Sequence, residues 1–255
     1  MNEGGSAVES IFIVALIGFS ALLLVPLAGC SKREFQPGTA VLLVDMQGDF
    51  TTLKKGALAV EGTDRDYLEM VSNVTRCLHR KGYPIFACQD WHPPDHISFF
   101  TNHPGTEPFE TIKTRGREQI LWPPHCVQGS EAAEILIDNT LIKAVVQKGM
   151  DPRFDSYSGF QDDGGKATGL DSILKVSGVD HLILYGLATD YCVKESVLDG
   201  LRHKFKSYVV SDGCRAVEVN EGDEKKAYQE MEAAGAIITT SAGIAELLRS
   251  MNRKP

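Results

Sequence analysis

The sequence predicts an α/β fold: a six-stranded parallel sheet with helices on both faces, in the Rossmann-like three-layer α/β/α arrangement. Three observations lead there. Short apolar runs that are continuous rather than alternating recur along the chain, as strands buried on both faces require. Segments with helical spacing separate them. Several of the runs close on a charged or reactive residue, and the carboxyl ends of parallel strands are where open sheets bind ligands.

Each element follows from its residues. Ala40 to Asp45 is an apolar run ending in a charge and predicts the first strand. Asp64 to Arg80 places Tyr67, Leu68, Met70, Val71, Val74 and Leu78 at helical spacing, with Thr63 available as N-cap and Gly82 just past the end. Pro84 to Gln89 predicts the second strand, with its proline first, where a missing donor is harmless. The segment Asp90 to Gly129 is irregular and holds both tryptophans and four of the seven histidines. A connection of that length without structure of its own points to function. Ser130 to Asn139 predicts a helix, Lys143 to Gln147 a strand, Leu170 to Val176 a helix and His181 to Tyr185 a strand. Thr189 to His203 predicts a helix, Tyr208 to Ser211 a strand, Glu221 to Ala234 a helix, Ala236 to Thr239 the last strand and Ile244 to Met251 a closing helix. Right-handed crossovers joining these units give the parallel sheet. With no linker or internal repeat, residues 37–255 read as one domain.

The formal net charge is -8, with no basic run beyond short Lys/Arg pairs. That balance excludes nucleic acid as a partner and favours a small-molecule ligand. The six cysteines show no C-x-x-C pair, so neither a zinc knuckle nor a disulfide framework is signalled.

Residues 1–36 stand outside the fold. Ile11 to Val25 is an apolar run of signal-peptide length. Leu27-Ala-Gly-Cys30, which follows, resembles the lipobox of bacterial lipoproteins. That resemblance implies a mature chain starting at Cys30, anchored by lipid to a membrane and extracytoplasmic. The alternative is an uncleaved anchor with a cytoplasmic domain, because Lys32 and Arg33 follow the apolar run while Met1 to Ser10 carries Glu3 and Glu9 and no Lys or Arg.

The candidate chemistry lies at the strand ends. Asp45 closes the first, Asp90 follows the second, Lys148 the third, and Cys192 lies just past the fourth, so the four should share one edge of the sheet. Asp90-Trp-His92 spaces two ligands on one side of an extended segment, and His125 adds a third after a diproline. One carboxylate and two imidazoles leave positions open for water or substrate and suit Zn, Fe or Mn without choosing among them. His96 is a candidate fourth ligand, and His103 reads as an exposed loop residue. Leu184 to Val193 reads as strand, sharp turn at Gly186 and helix start, with Cys192 in the first helical turn, where free N–H groups favour the thiolate. His181 begins a strand and His203 ends a helix, so neither is placed to serve the thiol. Asp45 as base and Lys148 as cation are the alternative.

Val44-Asp-Met-Gln-Gly-Asp-Phe50, Gln89-Asp-Trp-His92 with its continuation to Phe99, Trp122 to Gly129, Lys148-Gly149, Tyr157-Ser-Gly-Phe160 and Gly186 to Val193 together resemble the nicotinamidases of the isochorismatase-like hydrolase superfamily. The resemblance implies hydrolysis of nicotinamide to nicotinate and ammonia through a thioester on Cys192, with Asp45 as general acid/base and Lys148 as the third member of a triad. It implies one divalent metal ion, zinc foremost, on Asp90, His92 and His125, binding the pyridine nitrogen. It further implies a cis Leu187–Ala188 bond, an oxyanion hole from the N–H groups of Ala188 and Cys192, an aromatic pocket walled by Phe50, Trp122 and Tyr157, and it leaves a homo-oligomer open. The alternatives are another amidohydrolase of the superfamily, which would lack the Asp-x-His and His metal set, and a non-catalytic extracytoplasmic metal- or pyridine-binding protein.

Overall fold

The structure is a computed structural model and describes residues 37–244 and Glu246. Strand β1 (Thr39–Val44) is buried at every residue, as a continuous apolar run covered on both faces must be. Helix α1 (Arg65–Arg80) turns Tyr67, Leu68, Val71 and Leu78 inward, and the Asp64 side chain caps it by accepting from the Tyr67 N–H. Thr63, the expected cap, instead donates its hydroxyl to the Val60 carbonyl at 2.5 Å. Strand β2 (Ile85–Asp90) is again buried throughout.

The long connection after β2 contains an antiparallel hairpin that the sequence pattern does not announce, β3 (Thr111–Thr114) with β4 (Arg117–Ile120). Arg115 and Gly116 turn it with φ of 50° and 76°, as a tight two-residue hairpin turn needs. The helix expected over Ser130 to Asn139 does not form. Two 3-10 turns, Glu131–Ala133 and Asn139–Leu141, bracket an extended piece. The Leu136 N–H donates to the Met46 carbonyl at 2.8 Å and Ile135 pairs with Gln47, so bonds to the segment after β1 replace the helical ladder.

The remaining elements are β5 (Ile142–Lys148), α2 (Leu170–Val176), β6 (His181–Gly186), α3 (Lys194–Arg202), β7 (Lys206–Val210), α4 (Asp223–Ala233) and β8 (Ile237–Thr239). A wide five-residue turn, Thr189–Val193, takes up the start of the helix expected from Thr189. The leader with Cys30, and the expected closing helix beyond Glu246, lie outside the described residues.

The sheet runs β5-β2-β1-β6-β7-β8 and is parallel throughout. The chain winds outward from β1 to β2 and β5, then crosses back to β6 beside β1 and winds the other way. A crevice opens at such a reversal, beyond the carboxyl ends of the two central strands. The register is level there: Val44 pairs with both Cys88 and Gly186, and Asp90 pairs with Lys148. Gly186 is required, since with φ of 140° an added Cβ would stand 2.0 Å from the Val44 carbonyl oxygen.

Candidate active site

The four strand ends deliver Asp45, Asp90, Lys148 and Cys192 to one place. Lys148 is fully buried, with Nζ 2.9 Å from Asp45 Oδ2, 2.5 Å from Asp90 Oδ1 and 3.4 Å from Cys192 Sγ. The ammonium also donates to the Ser156 carbonyl at 2.7 Å. Burial works against that charge, but the Asp45 and Asp90 carboxylates outweigh it and hold the lysine pKa well above its ordinary value. Lys148 is therefore shut off from solvent although it ends its strand.

Asp45 has a left-handed backbone, φ 46°, which Asp tolerates better than most residues. Burial raises its carboxyl pKa, Lys148 opposes and Asp90 adds, so that it is pushed up to about 6. Burial also pushes the Cys192 thiol well above its usual range, against the pull of Lys148. The thiol sits in the turn before α3, where desolvation and the Asp45 and Asp90 carboxylates favour its protonated form. A base is needed, and Asp45 is beside it.

The second group of residues meets the first at Asp90. Its Oδ2 faces His92 Nε2 at 3.5 Å and His125 Nε2 at 3.9 Å, and the three side chains bring one ligand atom each within 4.8 Å of one another. His92 Nδ1 lies 2.9 Å from the Gly149 carbonyl and His125 Nδ1 lies 2.8 Å from the Pro123 carbonyl. A carbonyl can only accept, so each Nδ1 carries a proton and each Nε2 faces Asp90; burial disfavours charge on His92, but the Asp90 carboxylate outweighs it and raises that pKa. His92 Nε2 is buried without a hydrogen-bond partner. Burial and the neighbouring His92 lower the His125 pKa to about 4, which keeps it neutral. An orphaned imidazole nitrogen, a neutral imidazole and a carboxylate fit a divalent cation. Asp90 is itself gripped at the backbone by Gln47, whose amide donates to its carbonyl and accepts its N–H, both at 2.8 Å. Gly149 has φ of 65°, and a Cβ there would meet the His92 ring at 2.3 Å.

His96 does not join this set. Its Nδ1 lies 2.7 Å from Ser98 Oγ and its Nε2 lies 3.1 Å from the Phe154 carbonyl, and it groups with His92 and Asp155 instead. His103 is half-buried rather than exposed, with Nε2 2.7 Å from the Ile97 carbonyl. His181 pairs with Asp180, and His203 stacks on Phe160, both outside the site.

A cavity of about 170 Å³ opens over Asp90, His125, Ala188 and Cys192. Phe50, Trp122 and Tyr157 wall it, as expected. Trp122 Nε1 donates to the Tyr157 hydroxyl at 3.2 Å, and Phe50 packs on the His125 ring at 5.6 Å. The Leu187–Ala188 peptide is cis. Among the wall residues that escape sequence reasoning are Phe109, edge-on to Trp122 at 5.9 Å, Tyr191, edge-on to Trp122 at 5.3 Å, Val217 and the segment Ala57–Ala59. The Val217 and Glu218 N–H groups both donate to the buried Asp190 carboxylate, at 3.0 and 2.9 Å, which fixes that wall to the turn carrying Cys192. Tyr191 had a signal in its place beside Cys192; Phe109 and Val217 come from loops without periodicity.

Buried acid, ammonium and thiol beside a cation-binding set and an aromatic slot can activate a sulfur nucleophile against the carbonyl of a small planar ring compound. Known proteins agree with that geometry. Residues 39–243 match the isochorismatase domain family. The nicotinamidase of Escherichia coli is 44% identical over 209 residues, covering 81% of this chain and 96% of its own. An Acinetobacter baumannii nicotinamidase/pyrazinamidase structure superposes with a TM-score of 0.74 at 35% identity, over 81% of this chain and 98% of that one. A pyrazinamidase of Pyrococcus horikoshii, solved in complex with zinc, gives 0.65 at 34% identity over 80% and 99%. The chain therefore belongs to the isochorismatase family and, within it, to the group that holds the nicotinamidases.

Proposed function

We propose that this amidohydrolase cleaves nicotinamide to nicotinate and ammonia through a thioester on Cys192. The observation that carries the reading is the single ammonium of Lys148 touching Asp45, Asp90 and Cys192, of which Asp90 and Cys192 line an aromatic cavity. Asp45 takes the thiol proton and Sγ attacks the amide carbon, while Lys148 balances the negative charge that moves from carboxylate to sulfur. The N–H groups of Ala188 and Cys192 receive the carbonyl oxygen as it becomes an oxyanion. Asp45 then returns the proton to the amine nitrogen, the C–N bond breaks and ammonia leaves. Water next attacks the thioester as Asp45 takes one of its protons; the C–S bond breaks, Asp45 passes that proton to the sulfur and restores the thiol, and the acid formed leaves as nicotinate after losing its proton to solvent.

Phe50, Trp122 and Tyr157 hold the ring between their faces and edges. A divalent ion on Asp90, His92 and His125 supplies, when bound, a Lewis-acid hold on the pyridine nitrogen. We take it to be zinc, in keeping with the zinc-bound relative; iron and manganese suit the same donors. The metal-loaded protein should release ammonia from nicotinamide, and Cys192→Ala should abolish release while ring binding stays measurable. No ammonia from the loaded wild type overturns the assignment.

For the leader we propose cleavage before Cys30 and lipidation there, so that the domain works outside the cytoplasm. The apolar run and Leu27-Ala-Gly-Cys30 support this. Mass spectrometry of the mature protein should find a lipid-bearing Cys30, and an intact Met1 would refute it.

A further inference from the structure

A carboxylate outside the reacting groups is built into the same site. Asp49 lies in the 3-10 turn Gly48–Phe50 just after β1 and is 8% exposed. Its Oδ2 accepts the Cys126 N–H at 2.7 Å and its Oδ1 accepts the Ala57 N–H at 3.2 Å. Its own carbonyl accepts the Leu58 N–H at 3.0 Å. The two segments so joined have different tasks. Cys126 directly follows His125 and holds φ of 46°, a left-handed conformation that is uncommon without glycine and needs something to hold it. Ala57, Leu58 and Ala59 form part of the cavity wall. Gly56 approaches so closely that a Cβ on it would stand 2.1 Å from the Asp49 carbonyl oxygen.

We propose that Asp49 is a positioning residue that couples the His125 turn to the wall at Ala57–Ala59, so that filling the metal set and shaping the ring pocket are linked. The coupling rests on the reading of Asp90, His92 and His125 as metal ligands. A carboxylate accepting backbone N–H groups makes charge-assisted bonds, stronger than those of a neutral acceptor. An asparagine has the same shape but only one accepting atom, so one N–H would face its NH2 group and go unpaired. Partners that orient metal ligands from outside typically carry 10–100-fold in metal affinity.

The test uses the metal-stripped full chain and Co²⁺ as probe, followed by its visible absorption. Asp49→Asn should fold, with unchanged far-UV circular dichroism, but bind Co²⁺ about tenfold or more weakly. At saturating Co²⁺ its KM for nicotinamide should rise by a larger factor than its kcat falls. In the wild type, Co²⁺ should slow amide hydrogen exchange across residues 56–59, which contain no ligand of the set. This second readout decides the matter if the variant does not fold. Wild-type Co²⁺ affinity in a folded Asp49→Asn, or unchanged exchange at 56–59, overturns the coupling while leaving the metal set standing. Failure of the wild type to bind Co²⁺ overturns the metal set itself and the coupling with it.

Discussion

Lys148 and Asp90 are paired residues of β5 and β2, and one Asp90 oxygen lies 2.5 Å from the Lys148 ammonium while the other faces His92 Nε2 at 3.5 Å. A single carboxylate thus serves both the ammonium of the triad and the cation-binding set. Replacing the lysine should be felt in both. In Lys148→Met the buried Asp45 and Asp90 lose their shared cation, a loss of about 3–5 kcal/mol, or a Tm lowered by roughly 6–20 °C in a chain of this size. Ammonia release should cease. Affinity for a divalent ion should rise, because Asp90 no longer shares its charge with an ammonium. A variant with wild-type Tm, or with weakened metal binding, would contradict this account.

The pH dependence follows from Asp45. Burial and the neighbouring Asp90 bring its pKa up to about 6 despite Lys148, and it must be ionised to take the thiol proton. The kcat/KM profile should therefore fall about tenfold per unit below pH 6 and level above it. Stability carries the opposite sign. Asp45 binds its proton more tightly folded than unfolded, so its contribution makes the fold less stable as pH rises from about 4 to 6. Asp90 behaves in the reverse sense: burial disfavours its charge, yet Lys148 and His92 hold its pKa well below the ordinary range. Its contribution is present at neutral pH and is lost as pH falls below that range. A rate profile flat down to pH 4 would remove Asp45 from the role of base.

Chelation should lower both activity and thermal stability. At a hundredfold excess over Kd a ligand specific for the folded state adds about 2.7 kcal/mol, which is a Tm difference of roughly 5–11 °C between loaded and stripped protein. His125→Ala should erase that difference. Differential scanning calorimetry with and without added Zn²⁺ measures it, and a persistent shift in the variant would place the ion elsewhere.

Two aromatic substitutions should separate packing from recognition. Trp122 is buried and Phe109 is 52% exposed, yet both line the cavity. Trp122→Ala should cost about 3–5 kcal/mol of stability as well as ring affinity. Phe109→Ala should leave stability within about 0.5 kcal/mol and still raise KM. Equal KM values for wild type and Phe109→Ala would relegate that ring to the surface.

The parts of the fold legible in the sequence are those where one local signal sufficed. The run Ala40 to Asp45 is apolar without alternation because β1 is sealed on both faces, and the charge that ends it marks the crevice. The same logic located Asp90, Lys148 and the turn to Cys192. Ser130 to Asn139 reads as a helix because Ala132, Ala133, Leu136 and Ile137 fall at spacings of three and four, whereas the Leu136 N–H donates to Met46; that partner is distant in sequence and invisible in a window. The hairpin Thr111 to Ile120 went unread because it alternates little apolar content, although Arg115-Gly116 at its tip was a turn signal. Phe109 and Val217 reach the cavity through loop paths that no periodicity encodes.

The ends of β5, β2 and β1 carry Lys148, Asp90 and Asp45, and the turn after β6 carries Cys192, while most of the wall comes from loops at residues 50–59, 109, 122, 157 and 217. Apart from Tyr191, which stands beside Cys192 on that turn, bond-making machinery and shape filter reside on separate pieces of backbone. Exchanging loops could redirect the chain to amides of another outline while the sheet that cuts them stays as it is.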